Sequence, residues 1–167
     1  ARQMPRFPNI IAEIELGRGC IWGRCSFCTE ALRYRLSFRS VGEIIAEVKA
    51  LWENGVKAFR LGRVADTWSY MFRGKPNVEA IEKLFKGIWK VSKPEVLHID
   101  NADPHIIATY EESRRIAEII AEYGTPGNVA SLGVETADER VAKLNNLNTT
   151  PEEAMRAIEI LNEIGGK

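Results

Sequence analysis

The sequence predicts a parallel α/β fold made of about four successive βα units. Apolar runs of strand length alternate with amphipathic helical stretches, which is the pattern of parallel βα units. The alternation recurs roughly every 35 to 45 residues without a textual repeat. The chain has 167 residues, of which 45% are apolar, and this suffices for one hydrophobic core. We therefore expect a single α/β domain.

The first unit begins with the alternating apolar run Ile10–Leu16, which predicts a strand. Its helix is predicted to start at Ser40, because Glu43 three residues later completes a capping box. Gly55 suits the left-handed position that closes such a helix.

The second unit has a strand near Val56–Leu61, followed by a long polar loop. Asn77 is expected to cap the next helix. That helix presents apolar residues at spacings of three to four for burial, namely Val78, Ile81, Leu84, Phe85 and Ile88. The loop between strand and helix contains the aromatic cluster Trp68, Tyr70 and Phe72, which we expect to cover a ligand or to pack on a segment missing from this chain.

The third strand is predicted at Val96–Ile99, where His98 is expected to be a hydrogen-bonded residue of the sheet. An apolar stripe through Ile116 and Ile120 predicts a helix that stops before Gly124.

The fourth strand is predicted at Val129–Val134 and delivers Glu135 to its carboxyl end. A final helix opens at Thr150, with Pro151 in its first position and Glu153 completing a second capping box. It is expected to close at Gly165 and Gly166. The fourth strand would then present an edge open to association with another chain.

All three cysteines of the chain, Cys20, Cys25 and Cys28, fall within nine residues directly after the first strand. Their odd number and the absence of a preceding signal-peptide pattern disfavour disulfides. A closed structural zinc site usually has four ligands, and the two histidines lie far away in sequence. Three thiolates suit a [4Fe–4S] cluster whose fourth iron accepts a ligand that is not protein.

The segments Arg18-Gly19-Cys20 and Arg24-Cys25-Ser26-Phe27-Cys28 resemble the signature of the radical S-adenosylmethionine (radical SAM) enzymes. In that family a three-cysteine loop follows the first strand of a partial βα barrel. The usual spacing is three residues and then two, whereas here four residues separate Cys20 from Cys25. The resemblance implies that this chain is part of an incomplete TIM-like barrel and that its parent protein is an enzyme.

The resemblance also implies cofactors and their contacts. Cys20, Cys25 and Cys28 would hold the [4Fe–4S] cluster, whose open iron would bind S-adenosylmethionine. One electron would then cleave the sulfonium and yield a 5′-deoxyadenosyl radical that abstracts hydrogen from the substrate. Phe27 is expected to lie against the adenine by its place in the motif.

Two further positions are implied to contact S-adenosylmethionine. Gly62 lies where the family has a glycine-rich segment after the second strand, although the family's glutamate is missing and Asp66 is the nearest acid. Glu135 belongs to Gly133-Val134-Glu135-Thr136, which is similar to a segment that meets the cofactor ribose, and the carboxyl ends of parallel strands are where barrel enzymes place active sites.

Composition limits the functions and cellular settings that remain possible. The 23 basic and 23 acidic residues give no net charge, which argues against a broad electrostatic nucleic-acid binder. No run approaches the roughly 20 apolar residues of a membrane span. We expect a reducing cytoplasmic setting and a reductant such as ferredoxin or flavodoxin.

Two other functions stay open from sequence. One is an electron-transfer or structural iron–sulfur module, and the other is a zinc-binding α/β interaction domain. The chain has four βα units against the six usual in the family, so we expect a truncated core domain over residues 1–167 that is inactive by itself. Methylthiolation and cobalamin-dependent methylation are both compatible with the sequence.

Overall fold

The structure, a computed structural model, describes residues 11–165. These residues form seven strands and seven helices. In chain order they are β1 (Ile11–Glu15), β2 (Gly17–Arg18), α1 (Glu30–Arg33), β3 (Ser37–Phe38), α2 (Val41–Glu53), β4 (Ala58–Gly62), α3 (Val78–Val91), β5 (Val96–Ile99), β6 (Asn101–Ala102), α4 (Pro104–Thr109), α5 (Glu112–Tyr123), β7 (Ser131–Leu132), α6 (Glu139–Leu144) and α7 (Pro151–Gly165).

The sheet confirms the predicted parallel α/β architecture. Strands β1, β4 and β5 pair in that order, all parallel. Strand β6 follows β5 after Asp100 and pairs in parallel with β7, so the same succession continues to a fourth strand position. Four parallel positions joined by helical crossovers form an incomplete TIM-like barrel.

The two faces of the sheet differ in character. Buried apolar side chains of the strands, including Ile14, Phe59 and Leu97, belong to one core with the apolar faces of the helices. Glu13, Arg60 and His98 stand opposite one another in register across β1, β4 and β5. His98 is buried and its Nε2 lies 3.2 Å from the carbonyl oxygen of Pro126, as expected of a hydrogen-bonded residue of the sheet.

The predicted helix starts are confirmed because they depend on local hydrogen bonds. Ser40 and Glu43 form the capping box of α2, and Gly55 follows that helix with φ of 87°. Asn77 caps α3 by accepting from the backbone N–H of Ala80 at 3.2 Å. Thr150 and Glu153 exchange hydrogen bonds at the start of α7.

The predicted strands are less accurate in length. The fourth strand was expected over Val129–Val134, yet β7 covers only Ser131–Leu132. The residues before β7 form a loop whose side chains hydrogen-bond to β5 instead. Asn128 Oδ1 accepts from the N–H of Ile99 at 3.0 Å. Ile10, where the first strand was expected to begin, and Gly166, where the last helix was expected to close, lie outside the described residues.

The long loop after β4 also differs from expectation. Trp68 and Tyr70 are fully buried in the core, whereas Phe72 is exposed. Trp68 Nε1 donates to the carbonyl of Ser113 at 3.0 Å, and the Tyr70 hydroxyl donates to the carbonyl of Arg39 at 2.7 Å. This loop is therefore a structural layer of the domain. No helix within residues 11–165 has the length and apolar character needed to cross a membrane.

Candidate functional site

A cleft of about 470 Å³ opens at the carboxyl ends of the parallel strands. Five segments contribute to its wall, at residues 18–30, 63–65, 101–104, 131–136 and 147–150. All three cysteines line it, together with Phe27 and Glu135. The fold therefore brings together five of the six residues that the sequence predicts for the site.

The cysteine loop is held at its base by a short antiparallel pair. Gly17 and Arg18 of β2 pair with Ser37 and Phe38 of β3. Gly19 has φ of 82°, and a Cβ there would lie 2.8 Å from the backbone nitrogen of Leu36. Glycine is therefore required immediately before Cys20.

Within the loop, the backbone bends at Ile21 and Trp22, between the first two cysteines. Gly23 has φ of 60°, and a Cβ there would lie 2.9 Å from Cβ of Ala31. The N–H of Cys28 donates to the carbonyl of Cys25 at 3.1 Å, which sets the geometry of the second cysteine pair. A left-handed glycine therefore stands within the enlarged spacing from Cys20 to Cys25.

The three thiols are free and half-buried. Burial raises the pKa of the Cys25 thiol above its ordinary value, and the neighbouring Cys20 adds to that shift. A hydrogen bond from the backbone N–H of Asn148 opposes both effects by favouring the thiolate. Burial and the neighbouring thiol thus act on the pKa of Cys25 in one direction, and the backbone donor acts in the other.

The donor set suits iron–sulfur ligation by its chemistry, since three free thiols line one cleft. Across residues 11–165, no three side chains among His, Cys, Asp and Glu converge on one position that could hold a metal ion. A [4Fe–4S] cluster instead takes each thiolate on a different iron, so its ligands surround a larger volume. Three thiols lining one cleft of this size are compatible with that arrangement.

A segment far along the chain packs against the cysteine loop. It comprises residues 145–148, between α6 and α7, and is here named the asparagine turn. The N–H of Ser26 donates to the carbonyl of Asn145 at 3.0 Å, and the Ser26 hydroxyl donates to Asn145 Oδ1 at 2.6 Å. Trp22 Nε1 donates to the carbonyl of Asn146 at 2.6 Å. The sequence did not predict that this segment packs against the cysteine loop; the segment has three asparagines in four positions.

Gly62 is the predicted residue that lies apart from the cleft wall. It is buried at the end of β4, where a Cβ would lie 3.1 Å from Cβ of Asp100 and 3.5 Å from Oε1 of Glu13. Its small size therefore permits close packing of neighbouring strand ends. The next residue, Arg63, has φ of 57°, lines the cleft and pairs with Glu15 at 3.5 Å.

Asp66, the acid nearest to Gly62 in the sequence, is held by backbone hydrogen bonds. It is buried, and its carboxylate accepts from the N–H groups of Trp68 at 3.1 Å, Ser69 at 2.8 Å and Asp103 at 3.0 Å. Burial raises its pKa to about 6 despite these donors. Asp66 thus ties the loop after β4 to the start of α4.

Glu135 lies beyond β7 and lines the cleft. Its side chain is exposed, and Thr136 Oγ1 accepts from the N–H of Asp138 at 3.1 Å directly after it. Asp138 then caps α6 by accepting from Arg140 and Val141. The cap fixes the start of α6 and therefore the end of the segment that carries Glu135. The Glu135 carboxylate remains accessible to a ligand.

Comparisons with known proteins agree with this architecture. The family model described as "Radical SAM superfamily" matches residues 14–167. An uncharacterized protein of Methanocaldococcus jannaschii is 54% identical over 178 aligned positions, covering 99% of this chain and 33% of that protein. The ribosomal protein uS12 methylthiotransferase RimO of Clostridioides difficile is 26% identical over 164 positions, covering 95% of this chain and 35% of RimO.

A solved structure supports the fold independently. The cobalamin-dependent S-adenosylmethionine radical enzyme OxsB superposes with a TM-score of 0.70 at 18% identity, covering 92% of this chain and 22% of OxsB. The chain spans about a third of the length of the curated relatives it matches.

Proposed function

The chain belongs to the radical SAM superfamily, and from that premise we propose that it is the first part of an enzyme core that binds a [4Fe–4S] cluster and S-adenosylmethionine. One observation carries the proposal: Cys20, Cys25 and Cys28 line the same cleft as Phe27 and Glu135, at the carboxyl ends of the parallel strands. The longer parent protein would complete the barrel.

Each residue has a chemical role in this proposal. The three thiolates would bind three irons and leave the fourth iron for the amino and carboxylate groups of S-adenosylmethionine. Phe27 is 58% exposed and apolar, so it offers a surface on which adenine could stack. Glu135 offers a carboxylate that accepts hydrogen bonds from the ribose hydroxyls.

Gly62 has a different proposed role from the residues that line the cleft. By allowing Asp100 to approach β4, it would let the strand end present Arg63 to the cofactor. Its contribution to cofactor binding is then indirect and acts through the backbone.

The bound cluster would supply the electron that cleaves the sulfonium and generates the 5′-deoxyadenosyl radical. The described residues would orient S-adenosylmethionine, and the walls of the cleft would limit access of water to its reacting end. A reductant such as ferredoxin or flavodoxin would deliver the electron to the cluster.

Anaerobic reconstitution with iron and sulfide, followed by paramagnetic resonance of the reduced protein, tests the proposal. A cluster signal that changes on adding S-adenosylmethionine is expected. Cys25→Ala should abolish assembly, whereas Thr29→Ala should retain it, since Thr29 is exposed and its side chain makes no capping hydrogen bond. Retention of a full cluster in Cys25→Ala would contradict the ligand assignment.

The same experiment separates the alternatives. A cluster that ignores S-adenosylmethionine in both this chain and its longer parent would favour an electron-transfer or structural module. Bound zinc without iron would favour a zinc-binding interaction domain.

For the parent enzyme we propose methylthiolation as the reaction class, because the chain is 26% identical to a methylthiotransferase over 164 positions. Mass spectrometry of substrate candidates incubated with the full-length enzyme should detect an added methylthio group. Transfer of a methyl group that depends on cobalamin would instead support the second subtype.

A further inference from the structure

The basic residues of the chain are concentrated around the cysteine loop. The whole chain has 23 basic and 23 acidic residues, yet residues 17–39 hold five basic residues and one acid, and residues 71–77 hold two basic residues and no acid. The single acid, Glu30, accepts from the N–H of Gly19 at 3.2 Å and lines the cleft. The sequence around the loop is therefore strongly basic in a chain without net charge.

Three contacts bring the basic segments together at the cysteine loop. A Cβ at Gly19 would lie 2.9 Å from the carbonyl carbon of Arg35, and one at Gly23 would lie 2.9 Å from Cβ of Ala31 in α1. A Cβ at Gly74 would lie 3.5 Å from Cγ1 of Ile21. Five exposed basic side chains thus stand on three neighbouring segments, and we name them the basic face: Arg24, Arg33, Arg35, Arg73 and Lys75.

The charges of the basic face are not neutralised by nearby acids. Within residues 11–165, none of its five side chains forms an ion pair, whereas Arg18 and Arg39 each pair with a glutamate. The Arg24 guanidinium lies 5.2 Å from the centre of the Trp22 ring, a contact that leaves its charge intact. Beside these charges, Leu32 is 85% exposed. Unpaired charges of one sign around an exposed apolar residue suit a partner of opposite charge.

The basic face lies outside the cleft. Cys20, Cys25 and Cys28 line the cleft, but none of the five basic residues does. A substrate has to enter the cleft to meet the radical, so this face is poorly placed to hold a substrate. Electron delivery has the opposite requirement, because the donor has to approach the cluster from the side that the cofactor leaves free. Arg24 directly precedes Cys25 in the chain.

We infer that the basic face is the docking surface of an acidic one-electron carrier protein, which reduces the cluster from the outer side of the cysteine loop. This inference rests on the proposed function for the cluster and adds the surface at which the electron enters. One electron passes from the carrier to the oxidised cluster, so the carrier is oxidised and the cluster is reduced by that electron. Electron-transfer interfaces are small and transient, and charge steers their association.

The triple variant Arg33→Gln, Arg35→Gln and Arg73→Gln tests the inference in the full-length parent protein. Its matched control is Lys83→Gln, Lys90→Gln and Arg156→Gln, which removes the same three charges from exposed positions of α3 and α7. The probe is a flavodoxin of net negative charge, titrated before reconstitution. At low salt its affinity should be about tenfold weaker in the triple variant and unchanged in the control. At about 1 M salt the difference should disappear, because charges are then screened within roughly 3 Å.

Stopped-flow reduction of the reconstituted cluster distinguishes docking from damage to the cluster. Reduced flavodoxin should reduce the cluster of the triple variant about tenfold more slowly than that of the wild type at low salt. Dithionite needs no protein interface and should reduce both at the same rate. Arg24→Gln with Lys75→Gln removes the other two charges and retains the test if the triple variant does not fold. Lys83→Gln with Lys90→Gln is then the control.

The outcomes separate the inference from the proposed function. A parent protein that assembles no cluster would contradict the proposed function, while the flavodoxin titration would still decide the docking surface. Equal loss of affinity in the triple variant and its control, or no loss in either, would overturn the inference. Slower reduction by dithionite would also overturn it, because the basic residues would then act on the cluster itself. Weaker binding of a single-stranded oligoribonucleotide, with flavodoxin binding intact, would assign the basic face to nucleic acid instead.

Discussion

Ser26 and Asn145 are 119 positions apart and are joined by two hydrogen bonds, from backbone N–H to backbone carbonyl at 3.0 Å and from hydroxyl to Oδ1 at 2.6 Å. One partner lies between two cysteines, and the other ends α6. The loop that would hold a cluster is therefore organised by the far end of the described chain as well as by its own glycines.

Removing either side chain of this pair should weaken the same contact. Ser26→Ala is expected to lower the free energy of unfolding by about 0.5–1.5 kcal/mol, the usual value of one hydrogen bond. Asn145→Ala should lower it by more, because Asn145 Nδ2 also donates to the carbonyl of Val141 at 2.9 Å. The double variant should lose less than the sum, since both changes delete one shared bond. Urea denaturation measures all three, and strict additivity would show that the side chains act separately.

Gly23 is expected to resist substitution. Gly23→Ala puts a Cβ at a positive φ of 60° and 2.9 Å from Cβ of Ala31, so we expect a loss of roughly 1–2 kcal/mol in the free energy of unfolding. Iron incorporation during reconstitution should also slow, because Cys20 and Cys25 flank the strained turn. Gly42→Ala is the control, since a Cβ there meets nothing within 4 Å. Equal behaviour of the two variants would contradict the predicted strain.

Glu135 is expected to contribute to S-adenosylmethionine affinity. Glu135→Gln removes a charged acceptor and should weaken binding to the reconstituted protein about tenfold, or about 1.4 kcal/mol. Isothermal titration calorimetry measures the affinity. Glu139→Gln, in the exposed first turn of α6, should leave the affinity unchanged. A similar loss in both variants would point to net charge instead of a ribose contact.

The contribution of Asp66 to stability should fall as pH rises. Its pKa is about 6 in the folded protein, against an ordinary value of 3.8, so the folded state binds its proton more tightly than the unfolded state does. The difference in unfolding free energy between wild type and Asp66→Asn should be largest below pH 4. It should decrease towards pH 7 by about 3 kcal/mol, at 1.36 kcal/mol per pKa unit. A difference that is flat or increases with pH would mean that the carboxylate is ionised when folded.

Trp68 and Trp22 should differ strongly in their contribution to the free energy of unfolding. Trp68→Ala is expected to cost about 3–5 kcal/mol, because the side chain is 1% exposed and its Nε1 satisfies the carbonyl of Ser113. Trp22→Ala should cost less than about 1.5 kcal/mol, since that side chain is half-buried and loses one hydrogen bond. Thermal or urea unfolding gives both values, and similar losses would contradict the core position of Trp68.

Much of this fold was predictable because its signals are local. The capping boxes at Ser40 and Thr150 depend on side chains three positions apart, and both form as predicted. The parallel α/β order follows from segments with the apolar period of a strand alternating with segments that have the apolar period of a helix. Each segment carries its own period in its sequence. The cysteine motif is equally local, so the sequence could identify the family before any contact was known.

The sequence by itself therefore determined the order of the four βα units, the starts of α2, α3 and α7, the family and the three cysteines. Only the tertiary structure decided that Trp68 and Tyr70 enter the core, that β7 shortens to two residues, and that the asparagine turn anchors the cysteine loop. These outcomes depend on hydrogen bonds and packing between segments up to 124 positions apart. Such pairs leave no periodic pattern along the chain, because their energy exists only once the fold has brought them together.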